Sequence, residues 1–232
     1  MSLEFTGEFL VPGQSPAHLE ADHLERYRFA RGFADGRRVL DIACGAGYGS
    51  MMLAESGAVE VTGVDLNQDV VEFAREHYSA ANLDFVRGDV CAFGDTGAFD
   101  LVTCFETIEH VPDHRAALDN LHRVVEPGGM LIVSSPNRPI TSPDAAGIED
   151  KPANSFHVRE FTIAELMSDL SAAGFAVDDA GAYGQRHQMH FRNTLLRKIY
   201  KTLRRPYLNC SPKVTPLGRR IPEYFILVAQ RI

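Results

Sequence analysis

The stretch Val39–Ser50, VLDIACGAGYGS, decides the reading of the fold. Val39, Leu40 and Ile42 make a short apolar run after Gly36, the length of a buried strand and too short for a helix. Glycines at 45, 47 and 49 follow at once, and a helical stretch, 50–56, comes after them. Glycine lets the backbone approach a ligand with no Cβ in the way, and the first turn of a helix offers unpaired N–H groups. Dinucleotides use such loops too, with the spacing G-x-G-x-x-G. Here the spacing is G-x-G-x-G, and Ser50 stands where that fingerprint wants its third glycine.

Outward from this loop, short apolar runs alternate with helical patterns. Val59–Val64 reads as a second strand ending at Asp65, and Asn67–Tyr78 as a helix with Val70, Val71, Phe73 and Ala74 inward. Leu83–Val86, ending in Gly88-Asp89, is a third strand, Phe99–Phe105 a fourth, Asp113–Val125 a helix and Gly129–Ser135 a fifth strand. Upstream, Asp22 is expected to cap a helix over Asp22–Ala34, with Leu24, Tyr27, Phe29 and Phe33 at near-helical spacing. Downstream, residues 136–160 read as an insert, and Thr162–Ala173 as a helix opened by Thr162 with Glu165 three residues on. Phe175–Tyr183 reads as a sixth strand and Glu223–Gln230 as the last. The alternation predicts an α/β fold with a doubly wound parallel sheet. One domain is expected: a helical N-terminal lid (1–36), a core (37–135), and inserts at 136–160 and 184–222.

The chain has 232 residues, 23 Lys+Arg against 31 Asp+Glu, and a formal net charge of −8, which argues against a generally basic nucleic-acid binder. The average hides a split: residues 1–179 hold 30 acids and 12 bases, whereas 180–222 hold ten bases and no acid. Within that block Leu196, Ile199, Tyr200 and Leu203 form a helical stripe over 193–204, flanked by Arg197, Lys198, Lys201 and Arg204. It reads as a lid or interface helix; contact with an anionic acceptor or with a membrane surface stays open. Cys44, Cys91, Cys104 and Cys210 lack C-x-x-C spacing, and the N-terminus lacks the pattern of a signal peptide. A reduced, cytoplasmic protein without transmembrane segments is expected.

The pieces VLDIACGAGYGS, VTGVDL, FVRGDV, FDLVTCFETIEHV and RVVEPGGMLIVSSPN stand in one order and spacing. Together they resemble the class I S-adenosylmethionine-dependent methyltransferases, densely over residues 37–137 and more loosely over 162–232. FETIEHV is similar to the corresponding stretch of the ubiquinone-biosynthesis O-methyltransferases and related small-molecule enzymes. The resemblance implies a Rossmann-like seven-stranded sheet with an antiparallel last strand. It also implies S-adenosyl-L-methionine as cofactor. Gly45 and Gly47 would then line its methionine part with Asp41 nearby, Asp65 would hold the ribose hydroxyls and Leu66 would flank the adenine. Asp89 and the Val90 backbone would read the adenine edge, and Phe105 and Glu106 would sit beside the methionine and sulfonium. A sulfonium cation suits aromatic faces, for which Tyr48 and Phe105 are the candidates.

Methyl transfer to oxygen or nitrogen needs a proton acceptor. His110, just past the fourth strand, is the candidate base, with Glu109 to orient it or bind part of the acceptor; the bland alternative is that this pair organises the loop before Pro112. His157, His187 and Tyr183 are candidate acceptor-side residues. His187 and His190 have metal-pair spacing, but no carboxylate or cysteine accompanies them. The paired aspartates and Asn of the catechol methyltransferases are not evident, so no metal is expected. A small-molecule acceptor methylated on oxygen is the leading expectation, with N- or C-methylation of a sugar or antibiotic-type substrate open. A nucleotide-dependent oxidoreductase or a non-catalytic cofactor-binding module stand as alternatives from other classes. No N-P-P-Y-like tetrad follows the fourth strand, so a nucleic-acid substrate is not expected. Oligomeric state stays open.

Overall fold

The computed structural model describes residues 10–95, 97–188, 195–196, 199 and 211–232. Helix α1 (Ala17–Ala30) leads into strand β1 (Arg38–Ile42), helix α2 (Tyr48–Ala54), β2 (Glu60–Asp65), α3 (Gln68–His77) and β3 (Leu83–Arg87). Then come β4 (Phe99–Phe105), α4 (His114–Val124), β5 (Val125–Pro136), the short α5 (Arg138–Thr141) and α6 (Ile163–Ala172). Strands β6 (Phe175–Ala176), β7 (Ala182–Gln185), β8 (Thr215–Pro216) and β9 (Tyr224–Arg231) complete the sheet.

The strands lie in the order β3-β2-β1-β4-β5-β9-β7-β8, with β6 beside β9. β1 is parallel to both β2 and β4, with Ile42 opposite Val64 and Cys104. β9 runs antiparallel between β5 and β7, so the final strand returns as expected. Of the nine described strands, β6 and β8 are two-residue stubs, which leaves the seven the resemblance implies. Because β1 sits between β2 and β4, chain direction across the sheet reverses there. The carboxyl ends of β1 and β4 open onto the crevice where doubly wound sheets bind ligands.

Successive strand residues face opposite sides, and the packing follows that period. Leu40, Ile42, Val102, Cys104, Leu131 and Val133 point to the face covered by α4 and α6. Val39, Leu101 and Ile132 point to the face covered by α1 and α2, against Tyr27 and Leu53. The helix signals act as read. Asn67 and Asp113 accept from the backbone N–H groups of Asp69 and Ala116 (2.9 and 3.0 Å). Thr162 and Glu165 form a reciprocal capping box.

Two expectations are corrected. α1 starts at Ala17 after Pro16, five residues before Asp22, so Asp22 is not its cap. Asp22 and Arg26 instead face inward with Tyr27 and Ala30, while Leu24, Phe29 and Phe33 are half-buried. The expected sixth strand over Phe175–Tyr183 is broken: after Ala176 the chain makes a turn of 3-10 helix at Asp179–Gly181, and β7 begins at Ala182. The helix expected over 193–204 lies largely outside the described residues, as do His190, Arg192, Arg205 and Cys210. No helix among the described residues is long and apolar enough to cross a membrane.

Candidate functional site

The loop after β1 is built from positive φ angles: Ala43 at 57°, Gly45 at 54° and Gly47 at 89°. Gly47 ends the loop as the N-cap of α2, and a Cβ there would meet Ala74 Cβ at 2.7 Å and Phe85 Cζ at 2.9 Å. Gly49 faces the Tyr27 ring, which an added Cβ would meet at 2.0 Å. The second and third glycines therefore let α1, α2 and α3 close on one another, while Gly45 lines the cavity above. Asp41 lies beneath the loop, 1 % exposed, and lines neither cavity described below. Its carboxylate accepts from Ser50 (2.6 Å), Thr103 (2.7 Å) and Tyr27 (3.1 Å). Burial raises its pKa to about 6 against those bonds. Ser50, where a dinucleotide loop would carry glycine, is thus used to hold Asp41.

Above the carboxyl ends of β1, β2 and β4 lies a cavity of about 510 Å³, within the usual range for small-molecule sites. Asp65 sits on its wall at the end of β2. Its two oxygens accept from the N–H groups of Gly45 and Asn67, both at 3.0 Å, and burial raises its pKa. Leu66 beside it is 62 % exposed, so it presents an open apolar surface to the cavity. Asp89 and Val90 line the same wall. The Asp89 carboxylate also closes a turn by accepting from Cys91 N–H (2.9 Å), so it is both a turn residue and a wall residue.

Tyr27, Tyr48 and Phe105 form an aromatic corner of this cavity, Tyr27 meeting the other two edge-on at 5.6 and 5.1 Å. The Tyr48 hydroxyl lies 3.1 Å from His23 Nδ1. Burial, then the Arg26 charge, pushes the His23 pKa well down.

A second cavity of about 350 Å³ adjoins the first, and Leu10, His23, Glu106 and His110 line both. Its outer wall comes from the insert after β5, through Thr141, Asn154, His157 and Glu160. Glu106 turns into the junction at φ +48°, held by the Ser134 hydroxyl, which donates to it at 2.7 Å. A non-glycine residue in that region is uncommon and tends to mark functional positions. Arg26 faces Glu106 at 3.5 Å and stacks over Tyr224 at 4.8 Å. The neighbouring turn, Ile108–His110, buries Glu109 completely and places His110 at the junction. Burial, then Glu106, holds the Glu109 carboxyl well above the usual range. The His110 Nδ1 lies 3.0 Å from the Phe156 carbonyl, so that nitrogen donates and the lone pair of the neutral ring is on Nε2.

The structure thus brings Gly45, Tyr48, Asp65, Leu66, Asp89, Val90, Phe105, Glu106 and His110 to the first cavity, and Glu109 and His157 to the second. It leaves Asp41 and Gly47 beneath the loop. Tyr183 and His187 line neither cavity; Tyr183 packs on Phe29 with ring centres 4.7 Å apart. Reading from sequence missed Leu10, His23 and Arg26. Neither His23 nor Arg26 belongs to the apolar pattern of α1, and only the burial of that helix brings them to the cavities.

The comparisons fit this geometry. Residues 40–133 match the family described as a methyltransferase domain. A protein of Mycolicibacterium smegmatis named "Probable S-adenosylmethionine-dependent methyltransferase" is 35 % identical over 181 residues, 77 % of this chain and 67 % of that one. The ubiquinone biosynthesis O-methyltransferase of Erwinia tasmaniensis is 40 % identical over 107 residues, which is 44 % of either chain. Among solved structures, an S-adenosylmethionine-dependent methyltransferase of Thermotoga maritima superposes with a TM-score of 0.66 at 18 % identity, covering 93 % of this chain and 91 % of that one. The chain belongs to the S-adenosylmethionine-dependent methyltransferases. It is an enzyme of that class, and its cofactor is S-adenosylmethionine.

Proposed function

We propose that this enzyme methylates an oxygen of a small-molecule acceptor, with His110 acting on the acceptor's proton. The observation that carries the reading is the meeting of two cavities at Glu106 and His110. The first suits the cofactor. Asp65 keeps lone pairs for a ribose diol, Asp89 and the Val90 backbone face the position of the adenine edge, and Leu66 covers its ring. Gly45 gives the methionine part close backbone, while Tyr48 and Phe105 offer aromatic faces to a sulfonium. S-adenosylmethionine, when bound, supplies an electrophilic methyl group.

The second cavity suits the acceptor. Its outer wall is built by the insert after β5, and a walled pocket of this size favours a small molecule. His110 Nε2 can take the hydroxyl proton as the acceptor oxygen forms its bond to carbon. The similarity to proteins named as O-methyltransferases supports oxygen over nitrogen. Cys44, Cys91 and Cys104 are all free, as a reducing cytoplasm keeps them, and this setting is part of the reading.

The test is a turnover screen of matched hydroxylated and amino acceptors, with products identified by mass and nuclear magnetic resonance. Methyl ethers are expected, with kcat falling by roughly two orders of magnitude in His110→Gln while S-adenosylhomocysteine binding holds. Methylated amines alone, or an unchanged kcat in His110→Gln, would overturn the reading.

A further inference from the structure

His23 stands on α1 where the two cavities meet, and it lines both of them together with Glu106 and His110. Its ring is half-buried and is tied at one nitrogen, with Nδ1 3.1 Å from the Tyr48 hydroxyl. Among the described residues no other hydrogen bond reaches the ring, so Nε2 is left to the cavities. Ligand sites are mostly apolar, with a few polar groups of this kind to fix orientation and specificity.

The Tyr48 contact decides what Nε2 offers. Neutral imidazole has one N–H and one lone pair, and the bond made at one nitrogen sets the state of the other. A phenol is a better donor than acceptor, so the Tyr48 O–H donates to Nδ1 and the ring N–H lies on Nε2. Burial raises the Tyr48 pKa far above its ordinary value, so the phenol keeps its proton. Burial, then the Arg26 charge one turn along α1, holds His23 neutral. The nearby cation, Arg26, already faces Glu106 at 3.5 Å. The junction therefore presents an uncharged donor beside a carboxylate, a setting that suits a hydroxyl, ether or carbonyl oxygen better than an anion.

We propose that His23 selects the acceptor, its Nε2–H donating to a second, uncharged oxygen of the small molecule apart from the hydroxyl that is methylated. The proposal rests on the reading of the second cavity as the acceptor site and deepens it, because it narrows the acceptor to molecules with at least two oxygens. A bond at the junction turns the reacting hydroxyl toward the methyl group, and a molecule without the second oxygen leaves the donor unpaired.

Two substitutions separate this role from that of holding Tyr48. The amide of Gln reaches the place of Nε2 and the amide of Asn the place of Nδ1. His23→Gln therefore keeps a donor in the cavity and gives up Tyr48, and His23→Asn does the reverse. The probes are hydroquinone, vanillin and methyl glucoside, with phenol and cyclohexanol as one-oxygen controls. Each is titrated at millimolar concentration into the full chain loaded with S-adenosylhomocysteine, and the His23 ring nitrogens are followed by nitrogen nuclear magnetic resonance. The proton is expected on Nε2, with a saturable Nε2 shift for a two-oxygen probe and none for the controls. Probe affinity should fall roughly tenfold in His23→Asn and less than about threefold in His23→Gln. A proton on Nδ1, no Nε2 response to any two-oxygen probe, or equal or reversed losses in the two variants would overturn the proposal. S-adenosylhomocysteine binding on the same samples shows that the variants fold, and the wild-type titration decides by itself where one does not. An unchanged kcat in His110→Gln would remove the base and leave this titration standing, so the two failures are separable.

Discussion

The Tyr27 hydroxyl on α1 donates to the Asp41 carboxylate at the end of β1, 3.1 Å away, and so fastens the N-terminal helix to the sheet beneath the cofactor cavity. Burial keeps this phenol protonated, with its pKa raised well above the ordinary value. Asp41 carries the cost of that arrangement. Its pKa of about 6, lifted by burial, exceeds the ordinary aspartate value near 3.9. Between about pH 4 and 6 the folded protein therefore holds a proton that the unfolded chain releases, and stability falls as pH rises through this window. The difference amounts to on the order of 3 kcal/mol. Denaturant unfolding of wild type and Asp41→Asn across pH 4 to 8 isolates it: the wild type should lose stability relative to the variant as pH rises, and a parallel pair of curves would refute the assignment.

Gly49 sits on the other side of the same tyrosine. A Cβ there would meet the buried Tyr27 ring at 2.0 Å, so the ring or the helix must shift. Gly49→Ala should cost about 2–4 kcal/mol by overpacking the α1–α2 contact. It should also weaken S-adenosylhomocysteine binding, because Tyr27 and Tyr48 wall the cavity. A denaturation midpoint within error of wild type would show that α1 docks less tightly than the structure states.

Asp65 presents the clearest single-residue test of the cofactor cavity. Its oxygens already accept from Gly45 and Asn67, which orients the carboxylate for additional donors. A charge-assisted hydrogen bond contributes about 1.5–3 kcal/mol, so Asp65→Ala should weaken S-adenosylhomocysteine binding by roughly 10- to 100-fold in calorimetry. A change below roughly threefold would move the ribose elsewhere.

Much of this site was legible in the chain because its residues follow strand ends. Asp65, Asp89 and Phe105 each stand where an apolar run stops, and a parallel sheet brings those ends to one edge. Asp41 and Gly47 lie beneath the loop and not on the cavity wall: the same loop that lines the cavity also packs on α3, and spacing alone does not separate the roles. The wall supplied by α1 was hidden for a different reason. Its buried face carries Asp22 and Arg26, and periodicity of apolar residues is blind to a helix that docks through charge. Glu109 and His110 meet His157 in the second cavity from nearly fifty positions away, across a turn and an insert whose path no local pattern dictates.

The basic block also takes a different meaning at its first residue. Arg186, the first base of a block whose contact with an anionic acceptor the sequence leaves open, bonds Asp22 at 2.6 and 2.7 Å and the His18 carbonyl at 2.9 Å. Asp22 is 1 % exposed, so this pair behaves as a buried one that clasps α1 to the end of β7. Removing one partner of such a pair leaves the other charge uncompensated, typically at about 3–5 kcal/mol, whereas replacing both with apolar groups costs far less. Arg186→Met and Asp22→Leu should each lower the denaturation midpoint strongly, and the double variant should recover much of the loss. Since α1 supplies His23, Arg26 and Tyr27 to the cavities, each single variant should also weaken S-adenosylhomocysteine binding, with the same recovery in the double variant. Additive losses would mean that the two residues act independently, and the clasp would be abandoned.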